Sequence, residues 1–487
     1  MVGYINGENR SQLNFMSLDD MVSEDSSVRA IDAIVDSMEK TKTKFVHSET
    51  KDAGRPPHDP IRMFKLYVYC YYEKIRSSRK IELECGRNIE LMWLMEGIVP
   101  DHKCIAEFRR QNKKAIKEAF SEFIEICDCL GLIGKDLAAI DGSKFRANNA
   151  RKKNLTIGKI DKKLEHFHKM LEEYNRELEE NDAKITHTKT KIDDLNALKE
   201  SMTEQGINEI SLTDPDSRLM NLANMGYEVS YNVQNAVDSK NDLIIATDVV
   251  NTPADQGQLY DMASEAARVA GATEEKPLTV VADKGYFGGA ALTKCEADPA
   301  INAIVARPDE KGKEGYQKSD FTYDEVNDQY TCPKGQILHR IGKKKRTYKN
   351  DRVCKNCEFR ELCTANKRGR LIERGEYEEV IEAAVKRYKE NKELYKRRQQ
   401  IVEHPFGTVK RTLGFTYFLM RGIENVRTEN RLHMLTYNIK RVLNIYSTQD
   451  LIRRLNEMRA MKQGDICHIF AFFNIFQLFT GKRLKFA

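Results

Sequence analysis

Long apolar runs are missing from this 487-residue chain. Its most hydrophobic stretch, Ile466 to Phe479, is interrupted by His468, Asn474 and Gln477. It is also shorter than the roughly 20 residues a membrane-spanning helix needs. It reads instead as a helix packed on the domain or on a partner, and no membrane role is expected. The opening residues, MVGYINGENRSQ, contain no apolar core of a secretory signal. Eleven cysteines, an odd number, do not suit a disulfide framework. The expected compartment is the reducing cytoplasm. An excess of one charge is lacking too: 80 basic residues stand against 74 acidic ones, a net of +6. Any nucleic-acid contact must therefore come from local clusters. What is present is an ordinary globular composition, 40% hydrophobic and 32% charged, in a chain long enough for two to four modules.

Residues 1–130 read as an N-terminal helical region and a candidate DNA reader. SSVRAIDAIVDSMEK (26–40) has helical spacing behind a serine pair that can cap it, and the adjacent prolines of GRPPHDP (54–60) force a turn. Two or three further helices follow, then one opened by Asp101 and ended by Gly131. No recognition-helix signature stands out, and the bland alternative is a bundle with a solvated basic face.

The texture changes at residue 137. LAAI is a short apolar run expected to deliver Asp141 at the C-terminal end of a strand. A heptad seam then occupies 158–205, with Ile160, Leu164, Phe167, Leu171, Tyr174, Leu178, Ile185, Ile192, Leu195 and Met202 on it. Asn181, Thr188 and Lys199 fill the remaining seam positions. That pattern predicts a coiled coil or a long helical hairpin turning near Glu180, Asn181 and Asp182, with a structural or dimer-forming role. Beyond it come GYEVSYNVQNAVD, NDLIIATDVVN, a helix from Gln256 to Ala270, PLTVVAD ending in Asp283, and INAIVARP. The order β-β-β-α-β-α-β, with an acid closing the first and fourth strands, predicts an RNase H-like mixed α/β sheet flanked by helices. The core is assigned to 131–307 and 376–450, interrupted by a basic, cysteine-bearing insertion at 308–375, and 451–487 form a C-terminal helical tail.

Asp141 and Asp283 each follow an apolar run and precede a glycine-containing turn. Either alone would pass for a turn residue. Two in matching contexts of one sheet suggest a shared site, since rigid strands can aim sparse carboxylates at divalent cations. A third acid is open on this ground alone: Glu393, Glu403 and Glu424 all sit on charged helices. Pro405 is expected to end a helix and so place Glu403 at a junction.

VADKGYF around Asp283 and VEHPFGTVKRTLGF (402–415) resemble the second and third catalytic blocks of bacterial insertion-sequence DDE transposases, which carry a Tyr-Arg-Glu-Lys signature. DGSKFRANNA (141–150) and YNVQNAVD (231–238) resemble the first block and the strand after it, and GRPPHDP, IRSSRKIE and VPDHKCIAEFR resemble the helical segment ahead of catalysis. The resemblance implies a triad of Asp141, Asp283 and Glu403 holding two Mg²⁺ or Mn²⁺ ions. It also implies a DNA-facing set of Tyr395, Arg398 and Lys410. One departure stands out: four residues separate Arg398 from Glu403, where the signature has three. The implied activity is metal-dependent cleavage at element ends and strand transfer into target DNA. The partners would be terminal inverted repeats and target DNA, bound by a homodimer in a bacterial cytoplasm, on the nucleoid when active. Two rivals remain: a transposase-derived DNA-binding protein without catalysis, and a metal-dependent nuclease that does not join.

In the insertion, Cys332, Cys354, Cys357 and Cys363 could hold a structural Zn²⁺, with one short Cys-x-x-Cys arm and a divided second pair. Four reduced thiols in a small β-rich module are the alternative. GKKKRTYK (342–349) and VKRYKENKELYKRRQQ (385–400) interleave cations with tyrosines, as phosphate-binding surfaces do.

Overall fold

The computed structural model describes residues 15–46, 56–176, 182–222, 225–308, 315–341 and 346–461. The first 14 residues, residues 177–181 around the expected hairpin turn, residues 342–345 of the first basic cluster and the apolar stretch Ile466 to Phe479 lie outside the described residues. The chain divides into two compact units. One is Met1–Leu132 with Thr213–Asp216 and Gly407–Ala487; the other is Ile133–Leu212 with Ser217–Phe406. The stretch expected as the 376–450 part of the catalytic core is thus shared between them.

The first unit is helical. Ser26 accepts a hydrogen bond from the Val28 amide and opens the helix Ser27–Asp36. Asp59 caps Pro60–Tyr72, with proline at the first helical position, where its missing N–H costs nothing. The run opened by Asp101 is two helices, His102–Gln111 and Lys113–Cys129, rather than the single one expected. Asn112 makes the break. Its Nδ2 donates to the Phe108 carbonyl (2.9 Å) and its Oδ1 accepts from the Val46 amide (2.7 Å), so the side chain competes with the helical ladder. Gly131, at φ +69°, ends the second helix.

The long helix Ile423–Ile445 packs on Lys113–Cys129 and Pro60–Tyr72 and buries Leu432, Leu435 and Ile439. Its N-terminus is capped by the short Thr213–Asp216 segment: Asp214 accepts from Gly422 N (3.0 Å) and Asp216 from Ile423 N (2.8 Å). Carboxylates there satisfy free amides and complement the helix dipole. Glu429, fully buried on this helix, pairs with Arg76 at 3.0 Å and accepts from the Leu419 and Met420 amides. That full partnering is what makes a buried charge tolerable.

The second unit is built on a mixed sheet. Its main strands are β1 (Leu137–Arg146), β2 (Gly226–Asp238), β3 (Ile244–Val250), β4 (Leu278–Ala282) and β5 (Ile301–Val305). β1 and β2 are antiparallel, β2 and β3 antiparallel, β1 and β4 parallel, and β4 and β5 parallel. A further strand, Arg218–Leu222, pairs with the start of β2. Leu259–Ala270 crosses between β3 and β4, ends at Gly271 with φ +65°, and packs on the sheet. Gly289–Ala297 makes the second parallel crossover, so the expected order of three strands, helix, strand, helix, strand is present.

The heptad seam folds back on itself. Ile157–Arg176 and Asp182–Glu204 pack against one another, with Ile160, Leu164, Ile192 and Met202 buried between them and Phe167, Leu171 and Leu195 beside these. Lys199 of the second helix pairs with Asp161 of the first at 2.6 Å. Much of the described part of the apolar stripe is therefore covered within the chain. The insertion forms an antiparallel five-stranded sheet of short strands whose small core is Phe321, Tyr330, Leu338, Tyr348 and Ile372.

Candidate active site around the paired aspartates

Strand register brings the two aspartates together. In the parallel β1–β4 ladder Ile140 stands opposite Ala282, so the next residues, Asp141 and Asp283, emerge side by side at the same end. Adjacent strands lie about 4.8 Å apart, which sets the scale of their separation. Only β4 ends there. β1 runs on to Arg146, paired with β2 throughout, so Asp141 sits within a strand and not at its C-terminal end as expected. Gly142 does not break β1 because β2 supplies its backbone partners. Asp141 instead marks the point where β1 loses β4 as a neighbour.

The two carboxylates differ in surroundings. Burial pushes the Asp141 carboxyl up to about 6, and neighbouring Asp283 and Asp255 push the same way, against the pull of Arg398 and a bond from the Gly142 amide (2.9 Å). Asp283 is more open, its side chain 44% exposed. It caps the single turn Lys284–Tyr286 by accepting from the Lys284 amide at 2.7 Å.

Arg398 and Tyr395 come from the helix Lys392–Gly407. The Arg398 guanidinium lies 3.8 Å from Asp283 Oδ1 and 5.8 Å from the centre of the Tyr395 ring. Phe406, further along the helix, packs on Phe145 of β1 at 6.4 Å between ring centres. Glu403 faces outward, exposed, and accepts from Gln399 Nε2 at 2.7 Å. Asp141, Asp283, Arg398 and Tyr395 are thus assembled, while Glu403 stands apart. The expected helix junction at Glu403 is absent: the helix carries Pro405 in its interior, continues to Gly407 and passes into the π-helical turn Thr408–Thr412. Proline deprives only one carbonyl of its partner, and buried neighbours Ile401, Val402 and Phe406 hold the helix down across the gap. Lys410 lies on that π-helical turn, in the first compact unit.

Four polar residues near the aspartates carry no site assignment from the sequence. Asn232 and Gln234 of β2 donate to Asp255 Oδ1 at 2.7 and 2.8 Å, and Tyr286 donates its hydroxyl to Gln234 Oε1. The signal lay in YNVQNAVD: polar residues two apart on a strand share one face, and both are buried. Asp255, in a loop between strand and helix, carried no such mark.

Among the described residues no group of three or more His, Cys, Asp or Glu side chains is disposed to hold a metal ion. Cys332 occupies the turn after the strand Gln329–Thr331, where its sulfur accepts from the Lys334 (3.4 Å) and Gln336 (3.3 Å) amides. Cys354 and Cys363 end short helices, and burial raises both thiols, with Cys332 and Cys357 adding to the rise at Cys354 and all three other cysteines of the set adding to it at Cys363. No helix among the described residues is long and apolar enough to cross a membrane.

Residues 16–111 match a family model described as "Transposase domain (DUF772)", and residues 331–443 match one described as "Transposase DDE domain". The second match takes in Tyr395, Arg398, Glu403, Lys410 and the four cysteines, and neither match reaches Asp141 or Asp283. No curated protein matches the chain. A solved structure, the cryo-EM synaptic complex of piggyBac transposase with hairpin DNA, is 8% identical over 88% of this chain and 78% of that one, with a TM-score of 0.34, too low to establish a shared fold. The two domain matches lie in the same order as the sequence blocks and support the resemblance to insertion-sequence DDE transposases.

Proposed function

We propose that the chain cuts DNA at element ends and joins the freed ends to target DNA, at a divalent-metal site built on Asp141 and Asp283. The observation that carries this reading is the β1–β4 register, which presents two carboxylates from adjacent parallel strands. The strand order supports an RNase H-like core, interrupted by the helical hairpin and the cysteine-bearing sheet.

The donor set suits Mg²⁺ or Mn²⁺. Burial first, and then the neighbouring carboxylates of Asp283 and Asp255, raise the proton affinity of Asp141, and its hard oxygens suit such a cation. Two such ions, when bound, neutralise charge at phosphorus and supply a reactive oxygen. Asp141 and Asp283 hold that place from rigid strands. Arg398, beside Asp283, offers a permanent planar cation to a DNA phosphate. Tyr395 stacks near it, and Lys410 is the third member of the DNA-facing set. Glu403 completes the triad by giving up its bond to Gln399. Exposed Lys386, Lys389, Lys392, Lys396 and Arg397 extend a basic surface for terminal inverted repeats and target DNA. A paired-end complex needs a homodimer, in the reducing cytoplasm that free thiols suit. In the insertion, Cys332, Cys354, Cys357 and Cys363 are proposed ligands of a structural Zn²⁺, with the Lys334 and Gln336 amides directed at the Cys332 sulfur.

Incubation with DNA bearing cognate ends and Mg²⁺ tests the reading. Cleavage and joining are expected from the native chain, and cleavage by Asp141→Asn or Asp283→Asn at the native rate would sink it. A second reading, a DNA-binding descendant without catalysis, is favoured by one observation: among the described residues Glu403 does not join the aspartates in a group able to hold a metal ion, and its carboxylate is bonded to Gln399. Tight binding of ends without cleavage in Mg²⁺ or Mn²⁺ would select it.

A further inference from the structure

Asp255 takes no part in the reaction as described above, yet its carboxylate is placed between the two acid-bearing segments. A Cβ added to Gly142, the residue after Asp141, would lie 2.6 Å from Asp255 Oδ1 and 2.5 Å from Gln234 Nε2. One added to Gly285, in the turn after Asp283, would lie 3.7 Å from Asp255 Oδ2. The glycines let this carboxylate approach both backbones. From it a continuous chain of bonds runs through Gln234 to the hydroxyl of Tyr286, which closes the Asp283 turn.

Asn232 adds an independent observation. It is 1% exposed, and while its Nδ2 holds Asp255, its Oδ1 has no hydrogen-bond partner and would stand 3.1 Å from a Cβ on Gly142. A buried acceptor left empty is unfavourable. The amide is kept in this orientation by its bonds to Asp255 Oδ1 (2.7 Å) and to the Thr252 carbonyl (3.3 Å), the first being the shorter.

Strand geometry decides what Asp255 can do. Gly142 pairs with Gln234, and Asp141 with Asn235. Cross-strand partners share a face and neighbours along a strand alternate, so Gln234 and the carboxylate bound to it lie across β1 from the Asp141 side chain. Asp255 therefore supports the site from behind rather than entering it.

We propose that Asp255 is a positioning residue: with Asn232, Gln234 and Tyr286 it ties the turn after Asp283 to β2 and fixes the spacing of Asp283 from Asp141. This rests on the proposed metal site. Loss of such a support costs about 10- to 100-fold in metal affinity.

The test is Mn²⁺ binding to the full chain without DNA, followed by titration and by the electron paramagnetic resonance line shape, with thermal melting in parallel. Asp255→Ala is expected to bind Mn²⁺ at least about tenfold more weakly. Asp255→Asn keeps an oxygen that both amides can reach, and is expected to stay within about threefold of native. Native affinity in Asp255→Ala overturns the proposal. Equal losses in the Asn and Ala variants also overturn it, because they would make Asp255 a charged ligand and not a support. Should Asp255→Ala lose its cooperative melt, Tyr286→Phe carries the test, since it removes only the hydroxyl at the far end of the same chain of bonds. A loss of about threefold or more supports the proposal and native binding sinks it. Asp141→Asn and Asp283→Asn separate the two levels. If both bind Mn²⁺ like the native chain, the metal site itself is wrong and the inference falls with it. If they fail to bind while Asp255→Ala binds normally, only the role of Asp255 falls.

Discussion

Asp141 and Asp283 are sheet-borne; Glu403 is helix-borne, and the two kinds of placement behave differently. A ladder of backbone hydrogen bonds sets the aspartates side by side whatever their side chains do. Glu403 depends on how one helix lies along the sheet and on which way that helix is turned. On Lys392–Gly407 the face turned inward carries Ile401, Val402, Pro405 and Phe406, and Glu403 is left outside it with Gln399. Acids on adjacent strands are preorganised, whereas an acid on a helix flank reaches the same place only by a further movement.

The largest effects should come from the sheet. Asp141→Asn and Asp283→Asn are each expected to lower metal-dependent cleavage by about 10³-fold or more, measured as single-turnover rates on end-bearing DNA. Glu403→Gln is expected to match them if the helix-borne acid joins the pair. A native rate would break the triad and leave the sheet acids as a dyad. Gln399→Ala sharpens the same point: releasing Glu403 is expected to change the rate by less than about threefold, within the few tenths of a kcal/mol of an exposed bond.

Arg398 belongs to the helix and reaches the sheet-borne Asp283 at 3.8 Å. Arg398→Ala is expected to cost about tenfold or more in DNA affinity or cleavage, with Arg398→Lys recovering part of it, since lysine keeps the charge and loses the planar fork. A lysine variant no better than alanine would show that the fork, not the charge, matters.

A smaller effect should appear in stability without metal. Burial raises Asp141 from its ordinary 3.8 to about 6 in the folded chain, so the folded state resists ionising it. The penalty is absent below about 4, where the acid is neutral folded or unfolded, grows through the interval, and is complete above about 6. Asp141→Asn should therefore stabilise the metal-free chain at pH 7, by on the order of 1–3 kcal/mol, and give nothing at pH 4, as read from denaturant midpoints. No stabilisation at pH 7 would show that Asp141 is better solvated than its setting implies.

In the insertion, the zinc proposal predicts about one Zn²⁺ per chain from elemental analysis of protein purified without chelators. Cys354→Ser should remove it and loosen the module, whose own apolar core is small. Full retention of zinc in that variant would exclude the assigned set.

Much of the second unit was readable in the chain. Apolar runs of five or so residues ending in Asp141 and Asp283, with helical stretches between, carry the period and length of a mixed sheet. The hairpin was readable as a seam, and Thr188 and Lys199 on it do not prevent its closure: Thr188 bonds back to the Lys184 carbonyl and Lys199 reaches Asp161. Asn112 was passed over because a lone asparagine in an amphipathic stretch has no local sign of breaking it. Asp255 was passed over because its meaning depends on Asn232 and Gln234, more than twenty residues earlier. Pro405 misled for a related reason: local preference says break, and packing on both sides overrides it.

By itself the sequence determined the strands, the helices, the pairing of their apolar faces and the transposase blocks, because these are matters of residue type and spacing along the chain. Tertiary structure alone decided that Ile140 meets Ala282, that β1 continues past Asp141, that Asp255 bonds Asn232 and Gln234 of β2, and that Glu403 is exposed and bonded to Gln399. Those depend on register between distant strands and on the rotation of a docked helix, which no local pattern encodes.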